Sequence, residues 1–266
     1  MKQLLIISTL FVLAATALFA HEFWLQPATF FARENQPVQI RFRVGEGFAG
    51  EPWGGAANRA VAFKFLLGKK ETDCLALVQK SGFDSLFLQF PKAGTHLLAF
   101  ASNNKYHEME GEKFNDYLVE DGLDAALEFR KQHGLLKERS RELYRREAAT
   151  LVQVGDKAGK VIFEKTGFDL QILPADNPYA LSSGQKLSFQ IRFRNQPLAN
   201  ALVRHWVKPA LGEITTTLLR TNAQGQVEFI LASGDNMISV VHLFEHSNPK
   251  EADWQSVWGN LTFGVK

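Results

Sequence analysis

Seven histidines are the side chains best suited to hold a transition metal here, because the single cysteine, Cys74, excludes a thiolate cluster and any internal disulfide. Imidazole joined by amine or carboxylate suits nickel, copper, cobalt or zinc. Three of the seven stand out by position. His21 follows an apolar leader, and a cut after Ala20 leaves its imidazole and a free amine on one residue, a ready chelate. His242 alternates in phase with Ile238, Val240 and Phe244, which on a strand sets it on the apolar face. His205 shares a face with Val203 and Val207 and is placed to meet His242 across a sheet. The competing reading is an ordinary terminal residue for His21 and, for the other two, a core histidine bonded to a backbone carbonyl. His96, His107, His133 and His246 read as structural or solvated.

Other chemistries have no signature. The chain has no glycine-rich phosphate loop, no Gly-x-Ser-x-Gly elbow, no His-Glu-x-x-His and no calcium loop. Lys and Arg number 30 against 28 for Asp and Glu, and a balance of +2 gives no electrostatic case for nucleic acid or an acidic membrane surface.

The leader itself has a physical layout. Lys2 supplies a positive start, Leu4 to Ala15 is apolar, and small residues follow, which is a secretory signal peptide over 1–20, cut after Ala17 or after Ala20. That predicts a periplasmic product. Beyond the leader no stretch is apolar for long enough to cross a bilayer, so no integral anchor is expected.

These candidate ligands need a frame. The 266 residues, 45% hydrophobic and 22% charged, have the composition of a globular protein of one large or two ordinary domains. Short alternating runs fill Phe23 to Ser102, such as Val38, Ile40 and Phe42 against Gln39, Arg41 and Arg43. From about Phe114 to Val152 apolar residues sit among many charges, with Gly122 and Gly134 as breaks, which reads as helices. Within it Lys137 to Glu147 carries alternating charges, with Glu138 to Arg141 and Glu142 to Arg146 at helix-neighbour spacing, and is expected to form an exposed, salt-bridged helix face. Alternation returns with Leu187 to Phe193, Leu202 to Val207, Thr215 to Arg220, Val227 to Leu231, Ile238 to Phe244 and Leu261 to Val265. The fold expected is mainly β: two immunoglobulin-like or transthyretin-like β-sandwich units, 21–110 and 156–266, with a helical insert over 111–155. One pentapeptide, Gln-Ile-Arg-Phe-Arg, occurs at Gln39 to Arg43 and again at Gln190 to Arg194, an echo that duplication or chance equally explains. Trp24, Trp53, Trp206, Trp254 and Trp258 lie in or beside strand-like runs, where core packing competes with stacking on a sugar or a partner.

Several longer motifs carry a resemblance. They are His21-Glu-Phe-Trp-Leu-Gln-Pro27, Phe114-Asn-Asp-Tyr-Leu-Val-Glu-Asp-Gly-Leu123, Arg141-Glu-Leu-Tyr-Arg145, Asn177-Pro-Tyr-Ala-Leu181, Pro197-Leu-Ala-Asn-Ala-Leu-Val203, the turn from Thr221 to Gly225, and Ala252-Asp-Trp-Gln-Ser-Val-Trp258. In this order, nearly end to end, the chain resembles a bacterial family of exported proteins of unknown function that is labelled as the periplasmic component of a cobalt or nickel uptake system. The resemblance implies a soluble protein that binds nickel or cobalt and passes it to a membrane transporter component. It puts the post-signal histidine on His21 and the late-strand Val-His-Leu histidine on His242. His205 matches no fixed ligand of the family.

Binding without turnover is the function expected, with His21, His242 and His205 as the ligand set. Two other classes stay open: a non-catalytic exported interaction or glycan-binding module, using Trp53, Trp206 or Trp254, and a copper enzyme built on an N-terminal histidine.

Overall fold

The alternating runs pair into three sheets. The computed structural model describes residues 22–55, 57–81 and 84–266. In chain order the first half contains strands β1 (Glu22–Pro27), β2 (Phe31–Ala32), β3 (Pro37–Glu46), β4 (Ala49–Pro52), β5 (Ala60–Leu67) and β6 (Lys70–Asp73), helix α1 (Leu75–Lys80), then β7 (Ser85–Gln89), β8 (Gly94–Ser102) and β9 (Lys105–Met109). Helices α2 (Gly111–Glu120) and α3 (Asp124–Gln132) lead into the long β10 (Ser140–Val154). The second half contains β11 (Leu170–Pro174), β12 (Lys186–Phe193), β13 (Gln196–Pro197), β14 (Leu202–Lys208), β15 (Thr215–Arg220), β16 (Gln226–Ile230), β17 (Gly234–Glu245) and β18 (Trp254–Val265).

Among the described residues a ten-stranded sheet forms the middle layer, in the order β15-β14-β17-β18-β10-β8-β5-β6, with β2 and β9 also pairing β10. On one face lies an outer sheet in which β3 pairs β1, β4 and β7. It buries Phe23, Ile40 and Phe42 against Phe63, Phe100 and Ala148. On the opposite face β12 pairs β11, β13 and β16, burying Phe189, Ile191 and Phe229 against Val203, Ile238 and Leu261. Covered on both faces, β8 and β18 are buried at every residue, as strands inside a layered core must be.

The two outer sheets are wired alike, and the repeated pentapeptide lies in the central strand of each, its final Arg194 falling in the turn after β12. Within the middle sheet the series β8-β5-β6 is matched by β17-β14-β15, running outward on either side of the β10–β18 pair. That pair is parallel, from Glu142 opposite Trp254 to Thr150 opposite Thr262. Matching strands on opposite faces with a common direction are what a two-fold axis along the strands generates.

The helical expectation holds for only part of its span. Phe114, Tyr117 and Leu118 are spaced to bury one side of α2 against Val241, Trp254 and Trp258. Gly122 and Gly134 do break the helices, with φ of +63° and +69°. From Ser140 to Val154, however, the chain is a fifteen-residue strand, which corrects the helical reading of Lys137 to Glu147. Its charges find partners that are not helix neighbours: Arg141 with Asp253 at 2.6 Å and Arg145 with Asp169 at 2.6 Å, both outside β10, and Arg145 with Glu147 of the same strand at 3.0 Å. No described helix is long and apolar enough to cross a membrane.

Candidate interaction edge

The expected metal ligands do not assemble. Among the described residues no three His, Cys, Asp or Glu side chains come together to hold an ion. His21 lies outside the described residues. His205 and His242 share a face, yet His205 stands opposite Ile238, four residues along β17 from His242, a separation of about 13 Å. His205 is buried, with Nε2 bonded to Asn236 Oδ1 at 2.7 Å, and burial holds its pKa below the usual imidazole value. The His242 ring packs 4.3 Å from Phe193 and 5.6 Å from Phe244. Burial, aided by the Arg194 guanidinium, pushes its pKa down to about 4. A fixed cation beside an imidazole repels a metal ion as it repels a proton. The expectation of nickel or cobalt held by His21, His242 and His205, with copper or zinc as substitutes, and of delivery to a transporter, is corrected on these grounds.

The tryptophans are also accounted for by packing. All five are buried, none more than 9% exposed. Trp24, Phe48, Trp206 and Met237 form a small core of their own under the β3–β4 hairpin. That hairpin turns through two left-handed residues, Gly47 at φ +55° and Phe48 at φ +57°, the latter held by its edge-on contact with Trp24 at 5.9 Å.

What the second half leaves open is a strand edge. The run Thr215-Thr-Thr-Leu-Leu-Arg220 is β-branched at three positions and uncharged until its end, so it extends readily and pairs with β14 from Leu202 opposite Arg220 to Val207 opposite Thr215. Its other side is paired by no described strand, and all six residues are exposed, Leu218 to 50%. The matching strand at the far end of the sheet, β6, is shorter and reads Lys70-Glu-Thr-Asp73, with Glu71 paired to Lys64 at 3.1 Å. Charge on an edge strand blocks pairing with another chain; β6 has that protection along its length and β15 has it only at its last residue, Arg220.

The base of this edge is anchored by ion pairs and hydrogen bonds. Arg204 of β14 meets Asp121 at 2.6 Å and donates to the Glu120 carbonyl at 2.6 Å, tying the strand to the end of α2. Burial pushes the Asp121 carboxyl up to about 7, with Arg204 pulling against it. Glu22, also raised by burial, lies in the field of the same arginine. Arg220 is held by Asp124 at 2.8 Å and by the carbonyls of Gly122 and Asn200. Sequence reasoning passed over Arg204 and Asp121, although a lone arginine inside the apolar run Leu-Val-Arg-His-Trp-Val demands a buried acid. Beside the edge, between β14–β15 and the β3–β4 hairpin, runs a groove of about 630 Å³ lined by Glu46, Gly47, Glu51, Trp206, Ile214 and Thr216 among others. It carries two carboxylates and no cation.

Comparisons with solved structures give only distant likenesses. The chain is similar to the D0-D1 domain of intimin, at 11% identity and a TM-score of 0.23, over 92% of this chain and 98% of that one. It is also similar to a tetra-tandem repeat in the extending region of a large adhesion protein, at 10% identity and a TM-score of 0.22, over 92% of this chain and 49% of that one, so it spans about half of that structure. No curated protein matches the sequence. The family match, by contrast, runs from residue 18 to residue 243, through the edge strand and into β17, and on it the chain belongs to the DUF4198 family, described as a domain of unknown function.

Proposed function

We propose that the protein is an exported, non-catalytic interaction module that holds a protein partner by strand addition at β15. The observation that carries this reading is the contrast between the two ends of the middle sheet: a four-residue β6 charged at three positions and a six-residue β15 uncharged up to its terminal Arg220 in the matching position. The anchoring of β14 and Arg220 supports it further, since a preformed edge costs little ordering on binding. Export rests on the signal-like layout of Met1 to Ala20, which lies outside the described residues, and mass spectrometry of the mature N-terminus tests it. The proposal also takes 21–110 and 156–266 as two immunoglobulin-like or transthyretin-like units joined through 111–155, a division supported by the matching strand pairings.

The test is photo-crosslinking in cells that express the full chain, with a photoreactive residue at Thr217 in one variant and at Glu71 in another. A discrete adduct from Thr217, to any protein including a second copy, and none from Glu71 is the expected result. Equal labelling at both, or no adduct at Thr217, overturns the reading.

A further inference from the structure

We infer that the occupant of the β15 edge is β15 of a second copy, paired antiparallel about a two-fold axis through Leu218. This deepens the reading above and rests on it. The argument begins with hydrogen-bond parity. Because β14 engages alternate residues of β15, the outward N–H and C=O groups belong to residues of one parity. Two identical antiparallel strands then pair only in registers where opposed residue numbers have an even sum. Two such registers keep most of the strand paired, one centred on Thr217 and one on Leu218.

Side chains choose between them. Trp206 lies opposite Thr216, so Thr216, Leu218 and Arg220 share the face that carries the groove, while Thr215, Thr217 and Leu219 share the other. Centring on Leu218 sets the two half-exposed leucines against each other and opposes Thr217 to Leu219. It also sets Arg220 of each copy opposite Thr216 of the other, and Thr216 lines the groove that carries Glu46 and Glu51 and no cation. Arg220 keeps its own Asp124 at 2.8 Å, so its guanidinium approaches the neighbour's groove carboxylates as one side of an existing ion pair, twice per dimer, and no like charges are opposed. Centring on Thr217 instead opposes Arg220 to the apolar Ile214 and leaves each leucine facing a threonine. The pattern that the groove selects in a partner strand, a cation two residues from an apolar residue, is the pattern of β15 itself. Closed two-fold pairing of this kind removes both exposed edges in one contact.

The sole native cysteine makes the test direct. In a Cys74→Ser background, the mature chain carrying Leu218→Cys is oxidised at high and low protein concentration and run on a non-reducing gel; Thr217→Cys and Leu219→Cys serve as register controls. A self-opposed cysteine in an antiparallel pair falls within disulfide span, whereas its neighbours face each other rather than themselves. The expected result is a linked dimer that is several-fold more abundant for Leu218→Cys than for either control and that is lost on dilution before oxidation. Sedimentation velocity of the unmodified chain should show concentration-dependent association, weakened by Glu46→Gln with Glu51→Gln and by Leu218→Lys. Preferential linking through Thr217→Cys overturns the register. A strictly monomeric chain, with Thr217 photo-adducts to a different protein, overturns the second copy while leaving strand addition standing; no adduct at all removes both.

Discussion

Arg204 and Asp121 meet at 2.6 Å with each less than a tenth exposed, and they join the strand beside the open edge to the end of the first long helix. A pair of this kind is weak evidence for stability as a whole, because desolvation offsets the attraction, but breaking it leaves a buried charge with no counterion. Arg204→Ala should therefore cost about 3–5 kcal/mol, while Arg204→Met with Asp121→Leu should recover most of that loss. Urea unfolding of the single and double variants measures the difference. A double variant as unstable as Arg204→Ala would show that the arginine acts by packing alone.

The same pair shows where sequence reading stops. The strands of the second half were legible, since a two-residue period in Leu187 to Phe193 or Ile238 to Phe244 has no helical reading. The strand β10 was not, because Glu142 and Arg146, four residues apart, satisfy helical spacing and also share one face of a strand. Only the partners decide, and Asp253 and Asp169 lie far along the chain. The histidine site failed for a related reason. Sharing a strand face fixes direction but not offset along the sheet, and the register that sets His205 opposite Ile238 comes from the whole β14–β17 ladder.

Glu142, which the helical reading placed on a solvated face, is buried beneath α2. It accepts hydrogen bonds from Ser256 and, at 3.4 Å, from Tyr117, whose ring stacks on Trp258. Burial pushes its pKa up to about 7. Between the unfolded value near 4.5 and that folded value the native state holds a proton that the unfolded chain has released, so stability falls as pH rises through this window and levels off above it. Asp121 has the same sign, so the readout is the difference between the parent chain and Glu142→Gln. Glu142→Gln should gain about 2–3 kcal/mol on the parent between pH 5 and pH 8 in urea unfolding. A constant difference across that range sinks the assignment.

Phe48 gives a reversal of the usual order of two substitutions. Its backbone is left-handed at φ +57°, a conformation that costs a residue with a Cβ roughly 1–2 kcal/mol and glycine nothing. Its ring is buried against Trp24 under the groove. Phe48→Ala should cost about 3–5 kcal/mol through the lost ring. Phe48→Gly should cost about 1 kcal/mol less, although glycine is ordinarily the worse replacement. The comparison is made by thermal and urea unfolding of the two variants side by side, and a glycine variant weaker than the alanine one would mean that the turn relaxes when the ring is removed.

His242 offers a direct measurement of why no metal site forms on the late strand. Its ring lies between Phe193 and Phe244, with the Arg194 guanidinium resting 4.9 Å and 5.1 Å from those same two aromatic rings. Burial first and this cation second hold the imidazole neutral down to a pKa of about 4. In an NMR titration its ring protons should stay flat from pH 5.5 to pH 8. Arg194→Ala should raise the His242 pKa toward the ordinary imidazole range without restoring it fully, because the burial remains. Nickel added to the mature chain should leave the His242 resonance in place. A resonance that titrates near pH 6.5 or moves on adding nickel would mean that the ring opens to solvent in solution, and the electrostatic account of this strand would fail.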